Sequence, residues 1–240
     1  MITKEQWVEF VTSRRTTRDF TSKPVAESLI DELLTDAMTA PSWSNTRPFV
    51  VAVATGEKRD RISAEFLRRW DSLSEARTGG LLAKLKLAVT RVGLPTSNRM
   101  ITKPYTGVFK TRSQKVGREL YSMLGVERGD AKGRDAQWRR NYEFFGAPVE
   151  LFIFTHKSIG KYAASDASLF MQNLMLGAHA RGLGTCAQGA VAIWEDAVKA
   201  EFDVPDGYRL LYGVAVGYPS NALVNSFKAE RLPISEIKLS

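Results

Sequence analysis

Three arginines within five residues, Arg14, Arg15 and Arg18, flank the hydroxyls of Thr16 and Thr17 in the segment SRRTTRDF. Guanidinium forks beside hydroxyls are the donor set that a phosphate dianion needs, although an exposed basic turn has the same composition. A second polar cluster, APSWSNTRPF, holds Ser42, Ser44, Asn45 and Thr46 between two prolines. Amide side chains such as Asn45 can hydrogen-bond a ring carbonyl or a polyol hydroxyl, and Ser and Asn also stop helices for local reasons. The third cluster, RGLGTCAQG, follows a helical pattern and its last glycine comes too late for GxGxxG, so the dinucleotide fingerprint is not present. Its glycines still permit main-chain N–H groups to approach a flat ligand closely.

No nucleophile, base and acid combine in the sequence. There is no GxSxG, the single Cys186 has no histidine near it in sequence, and His156 and His179 are far from HExxH spacing. One cysteine makes neither an internal disulfide nor a cysteine-based zinc site, so no metal centre is expected. Difficult chemistry on this chain therefore points to a bound cofactor.

The elements that must hold these clusters can be read from periodicity. Val25 to Ala40 carries Leu29, Ile30, Leu33, Leu34, Ala37 and Met38 at helical spacing between Pro24 and Pro41. The β-branched run PFVVAVATG predicts a buried strand, as do VELFIFTH and YRLLYGVAVGYP. Helices are expected over Lys58 to Asp71, Arg112–Leu124, Arg134–Phe145, Asp166 to Arg181 and Trp194–Phe202. The stretch ARTGGLLAKLKLAVTRVGLPTSNRMITKPYTG reads as an extended connection containing a short helix, and RGLGTCAQG as a turn. Helices around a modest sheet make the expected class α+β. No repeat or low-complexity linker divides the chain, so residues 1–240 are read as one domain with a basic region inserted at 58–145. The tail, 220–240, has scattered apolar residues without a helical stripe, which suits either a frayed end or an arm lying over another surface.

The 240 residues are 44% apolar and 25% charged, which excludes disorder, collagen and a disulfide scaffold. RPFVVAVA and VELFIF are too short to cross a bilayer and the amino end lacks a signal peptide's design, so a cytoplasmic chain is expected. Residues 58–140 hold 20 Lys/Arg against 8 Asp/Glu, while the rest holds 14 against 18. Such a surface draws nucleic acid, acidic lipid or an anionic small molecule, and charge alone does not choose among them.

RRTTRDF, APSWSNTRPF, GAPVELFIF, SDASLFMQNLMLGAHARGLGTCAQG, YRLLYGVAVGYP and RLPISE, in this order from about Thr12 to Ile237, resemble the flavin-dependent nitroreductase family. PYTGVFKTRSQKVGRELYSMLGV and QWRRNYEFFGAPV further resemble its nitrobenzoate and nitroarene reductase branch. The resemblance implies an α+β nitroreductase-like fold with a mainly antiparallel central sheet flanked by helices. It also implies an FMN-binding homodimer with sites at the subunit interface and the arm 220–240 exchanged. It assigns the FMN phosphate to Arg14, Arg15, Thr16 and Arg231, and places Arg18 near N1 and O2 of the flavin as an electrostatic stabiliser of its reduced form. Pro41, Ser42, Trp43 and Asn45 would come from the other subunit, Gln188 and Gly189 would offer main-chain contacts near N5, and Asn141 is the candidate second pyrimidine contact. Ala229 stands where some members carry lysine, with Lys228 one step away. The implied activity is ping-pong transfer from NADH or NADPH to a nitroaromatic or similar flat acceptor. Alternatives on the same fold are dehalogenation, enone reduction or dehydrogenation, and a flavin-binding sensor without turnover. A different class, a nucleic-acid module, would use Phe66, Trp70, Tyr105, Phe109 and Trp138.

Overall fold

The computed structural model describes residues 1–97 and 104–239. The chain opens with α1 (Lys4–Ser13), whose start is fixed by a capping box between Thr3 and Gln6, followed by α2 (Glu27–Ala37) and β1 (Phe49–Thr55). Then come α3 (Gly56–Thr78), α4 (Leu81–Thr90), α5 (Gly107–Met123), α6 (Ala131–Arg139) and β2 (Val149–His156). The remainder is α7 (Lys161–Ala180), β3 (Gly184–Gln188), α8 (Glu195–Lys199) and β4 (Tyr208–Gly217).

The four strands form an antiparallel sheet in the order β1-β2-β4-β3. Both faces are covered, which is why VELFIFTH is apolar almost throughout rather than alternating. One face packs Leu151, Ile153 and Val214 against Ile30 and Leu33 of α2 and Phe170 and Leu174 of α7. The other packs Phe152, Phe154 and Leu210 against Phe66 and Trp70 of α3, Tyr142 and Trp194. Phe66 meets Tyr142, Phe144 and Phe152 edge-on, a geometry that adds to the burial of each ring. Among the described residues no helix is long and apolar enough to cross a membrane, and no cluster of metal-ligating side chains occurs.

The α+β class and the antiparallel sheet agree with the sequence reading, while several boundaries differ. The helix expected over Val25 to Ala40 occupies Glu27–Ala37, and the one expected from Lys58 continues to Thr78. The connection expected to be extended with a short helix holds the end of α3 and all of the ten-residue α4, so more of it is helical than expected; its residues 98–103 lie outside the described residues. In α4, Leu81, Leu82, Leu85 and Val89 are exposed, so no stripe faced the core to reveal the helix. The helices expected at Arg112–Leu124 and Asp166 to Arg181 are Gly107–Met123 and Lys161–Ala180. The one expected over Arg134–Phe145 stops at Arg139, and Phe144 and Phe145 both adopt left-handed backbone angles that cannot continue a helix. Trp194–Phe202 reduces to Glu195–Lys199.

The largest correction is a fourth strand. Gly184–Gln188, read as a turn, is β3, paired from Gly184↔Gly217 to Gln188↔Gly213. Its residues are small rather than β-branched, and strand form comes from the partner β4 rather than from local preference. Gly182, at φ +71°, ends the region of α7 as expected.

Candidate active site

The arginine segment leaves α1 in extended form at Arg14 and runs beside β3. Thr17 N–H donates to the Thr185 carbonyl at 2.9 Å, and Thr16 forms a parallel bridge with Thr185. The close approach needs Gly184, since a Cβ there would fall 2.2 Å from Thr17 Oγ1. The tail is tied to this segment by Asn225, whose Oδ1 accepts from Arg18 N–H at 2.8 Å and whose Nδ2 donates to the Asp19 and Ser220 carbonyls at 2.7 and 3.0 Å. Val224 and Phe227 are buried beneath it, and α5 holds the tail through ion pairs Arg112–Glu236 and Lys115–Glu230.

The result is a cleft of about 240 Å3 lined by Arg14, Arg15, Thr16, Arg18, Lys228 and Arg231 among others. Five of its lining residues are cationic, and none of its described lining residues is a carboxylate. Arg14 is held below the ordinary arginine pKa by burial and then by the charge of Arg231. Arg15 Nε is buried without a partner, and Arg231 donates only to main-chain carbonyls, Ala229 at 2.8 Å and Glu230 at 3.5 Å. Facing guanidiniums with an unsatisfied donor are favourable only when an anion sits between them, so this donor set fits a phosphate group.

Arg18 also lines an adjoining recess with Tyr121, Trp138, Asn141, Cys186 and Ala187. Burial pushes the Cys186 thiol up to about 12, leaving it a neutral packing group with Arg18 pulling the other way. The Tyr121 phenol is raised by burial against the opposing pull of Arg134 and Arg18. Asn141 contributes its main chain to the site's framework: its carbonyl accepts from Gln188 Nε2 at 2.7 Å, while its own Nδ2 donates to the Trp138 carbonyl at 2.9 Å. Gln188 therefore turns its side chain into the protein, where Oε1 has no partner; the residue as a whole is buried on β3, and the exposed position is the next one, Gly189.

The structure thus brings Arg14, Arg15, Thr16, Arg18 and Arg231 to one cleft and Arg18 and Asn141 to the recess that shares Arg18 with it, lined by Cys186 and Ala187 of β3 just before Gln188 and Gly189. It does not bring Pro41, Ser42, Trp43 or Asn45 there. These lie between α2 and β1, where Trp43 N–H donates to the Asp166 carboxylate at 3.1 Å and the Trp43 ring stacks on Tyr162 with centroids 4.7 Å apart. Ser44, Asn45 and Arg47 all have positive φ, a conformation costly for such residues and frequent at functional turns. Tyr121 and Asn225 were not singled out from the sequence; the first sits in a basic helix of ordinary composition, and the second belongs to no motif.

One further group lies below this site. Glu150 is in the centre of the sheet, aligned with Ala54 on β1 and Ala215 on β4, and wholly buried. Neither carboxyl oxygen has a partner, and burial raises its pKa well above the ordinary value, with Arg59 pulling it down. Room for it exists because residue 213 is glycine: a Cβ there would lie 2.1 Å from Glu150 Oε1 and 2.9 Å from Val191 Cγ2. Gly213→Ala is expected to destabilise the fold by about 1–3 kcal/mol through overpacking, measured as a lower urea midpoint at unchanged m-value.

The nucleic-acid alternative loses part of its basis here. Phe66 and Trp70 are core residues, and many arginines of the basic region are paired, Arg61 with Glu201, Arg69 with Glu65 and Asp196, and Arg139 with Asp71.

An open antiparallel sheet with helices on both faces, beside a cleft lined by cations and an aromatic recess that shares Arg18 with it, defines the class as an α+β protein. The chain belongs to the nitroreductase family, whose model matches residues 11–218. It is 32% identical to a 4-nitrobenzoate reductase of Pseudomonas putida over 92% of this chain and 89% of that protein. It is 28% identical to the nitrobenzene nitroreductase of Ectopseudomonas oleovorans, over 96% and 92% of the two chains. In structure it is similar to the FMN-dependent nitroreductase NfnB of Mycobacterium smegmatis in complex with NADPH, with a TM-score of 0.81, 28% identity and coverage of 98% and 97%.

Proposed function

We propose that this protein is an FMN-dependent oxidoreductase that takes reducing equivalents from NADPH or NADH and passes them to a nitroaromatic or similar flat, electron-poor acceptor. The observation that carries this reading is the run of five cations without a carboxylate that opens into a recess between β3 and the aromatics Tyr121 and Trp138. The names of the relatives, which are nitrobenzoate and nitrobenzene reductases and an FMN-dependent enzyme in complex with NADPH, support it. Bound there, FMN would accept hydride from a reduced nicotinamide and deliver it to a second molecule in the same pocket.

In this reading Arg14, Arg15, Thr16 and Arg231 hold the phosphate. Arg18 faces the pyrimidine edge, where a fixed cation favours the extra negative charge of the reduced ring. Asn141 completes that edge, and the main chain at Gln188 and Gly189 lies along the centre of the flavin. Pro41, Ser42, Trp43 and Asn45 reach the cofactor of a second copy, which makes the working unit a homodimer. The arm 220–240 meets the second copy in this reading through Leu232, Ile234, Ile237 and Leu239, which are exposed on the single chain. Residues 1–240 act as one domain, with Val116, Tyr121 and Trp138 of the region 58–145 over the cleft. The proposed compartment is the cytoplasm, where reduced nicotinamides are supplied.

The test is the visible spectrum. The purified protein is expected to show oxidised-flavin bands that bleach on anaerobic addition of NADPH or NADH and return on addition of a nitroarene. A colourless protein that also fails to take up added FMN would overturn the reading, and bleaching without return would leave a sensor rather than an enzyme.

A further inference from the structure

Past Tyr121 and Trp138, which line both spaces, the recess continues into a cavity of about 540 Å3, within the range of roughly 300–1,000 Å3 typical of small-molecule sites. Its walls are aromatic. Trp70 stacks on Trp138 with centroids 6.4 Å apart and 26° between planes, and its ring centroid lies 5.3 Å from that of Tyr142. Ala190, the residue after Gly189, belongs to the same lining, so the cavity borders the turn proposed to lie along the flavin.

Two guanidiniums complete the lining. Arg77 lies 5.1 Å from the centroid of the Trp70 ring, and Arg134 donates Nη1 to the Arg128 carbonyl. Neither makes an ion pair among the described residues, in contrast to Arg61, Arg69 and Arg139 of the same basic region. The acid in the lining, Asp135, accepts from the Ser74 hydroxyl at 2.8 Å. A neutral nitroarene would use only the aromatic walls. Unpaired arginine forks beside those walls favour a ring that also carries a carboxylate, because a planar fork matches two carboxylate oxygens.

The geometry points to this cavity as an acceptor subsite for planar aromatic molecules bearing an anionic substituent, with the ring against Trp138 and Tyr121, the anion at Arg134, and Arg77 as a second cation. The inference rests on the function proposed above and names the acceptor class for that site. Reduced nicotinamide dinucleotide is also anionic, and the two half-reactions separate it from the acceptor.

The full chain, loaded with FMN, is compared with its Arg134→Gln and Arg77→Gln variants. Binding of benzoate and of benzamide is read from tryptophan fluorescence, kcat/KM is measured for 4-nitrobenzoate and 4-nitrobenzamide, and flavin bleaching by NADPH is timed separately. Wild type is expected to prefer benzoate, and Arg134→Gln to weaken benzoate binding and 4-nitrobenzoate turnover by about ten- to a hundredfold. The amides and the NADPH step should stay within roughly threefold, since they lose no charged hydrogen bond. Arg77→Gln, at an exposed position, should lower the same selectivity by a smaller factor. Equal wild-type affinity for benzoate and benzamide, a loss shared by both acceptors, or a loss confined to NADPH would overturn the subsite. Because benzoate binding is read without turnover, a protein that binds it selectively but reduces no nitroarene would refute the proposed activity and not the subsite.

Discussion

Arg231→Ala is expected to weaken FMN binding by about 1.5–3 kcal/mol, roughly ten- to a hundredfold in Kd, as one charged hydrogen bond to phosphate is lost. The stability of the flavin-free protein should move the other way or not at all. Arg14 is held below its ordinary pKa by burial and by the charge of Arg231, so removing one of the facing cations relieves repulsion when no anion lies between them. Arg231 is exposed and bonds only to neighbouring carbonyls, so little packing is lost. Equilibrium titration of the flavin-free protein with FMN, followed by flavin fluorescence, gives the first quantity and urea unfolding gives the second. Unchanged FMN affinity would remove Arg231 from the phosphate site, and a parallel loss of fold stability would make its role structural.

Glu150→Gln should change how stability depends on pH. Above about pH 4.5 the unfolded carboxyl releases its proton, while burial keeps the folded one protonated, because its pKa lies well above that value. The folded state then binds more protons than the unfolded state, so stability falls as pH rises. The loss approaches about 1.4 kcal/mol per pH unit for a single group and ends once the pH passes the folded pKa. The pull of Arg59 brings that end point down. Glutamine carries no proton to release and keeps the shape, so the variant should equal or trail wild type in acid and become the more stable protein as pH increases. Urea unfolding of both proteins across the neutral range reads the crossing; parallel curves would mean that Glu150 ionises inside the fold with a compensating partner.

Much of the scaffold was visible in the residues themselves. The β-branched and aromatic runs at Phe49–Thr55 and Val149–His156 fall on their strands with almost no displacement, since sheets covered on both faces demand continuous apolar stretches. β3 escaped notice for the opposite reason: GTCAQ has no local preference for a strand and takes that form from its neighbour β4. The arginine segment and Arg231 could be linked through the family resemblance, and the structure places them in one cleft. Tyr121, Asn225 and the Trp70–Trp138 wall were beyond reach, because each matters through contacts with residues distant in sequence. Glu150 looked like an ordinary charged residue in a strand, and only the register beside Gly213 reveals that it is wholly enclosed.

The hook between Asn225 and Arg18 joins residues 207 positions apart, and Arg14 waits still longer for Arg231. A ribosome makes the first of these partners more than two hundred residues before the second. While Arg231 is unmade or still in the exit tunnel, the arginine segment lacks the cation proposed to close on the phosphate, and a nascent chain is expected to hold the nucleotide more weakly than the finished fold. Full affinity for the cofactor is therefore expected only once the tail has emerged and folded back, and overproduction that outruns the flavin supply should accumulate folded chains awaiting their pigment.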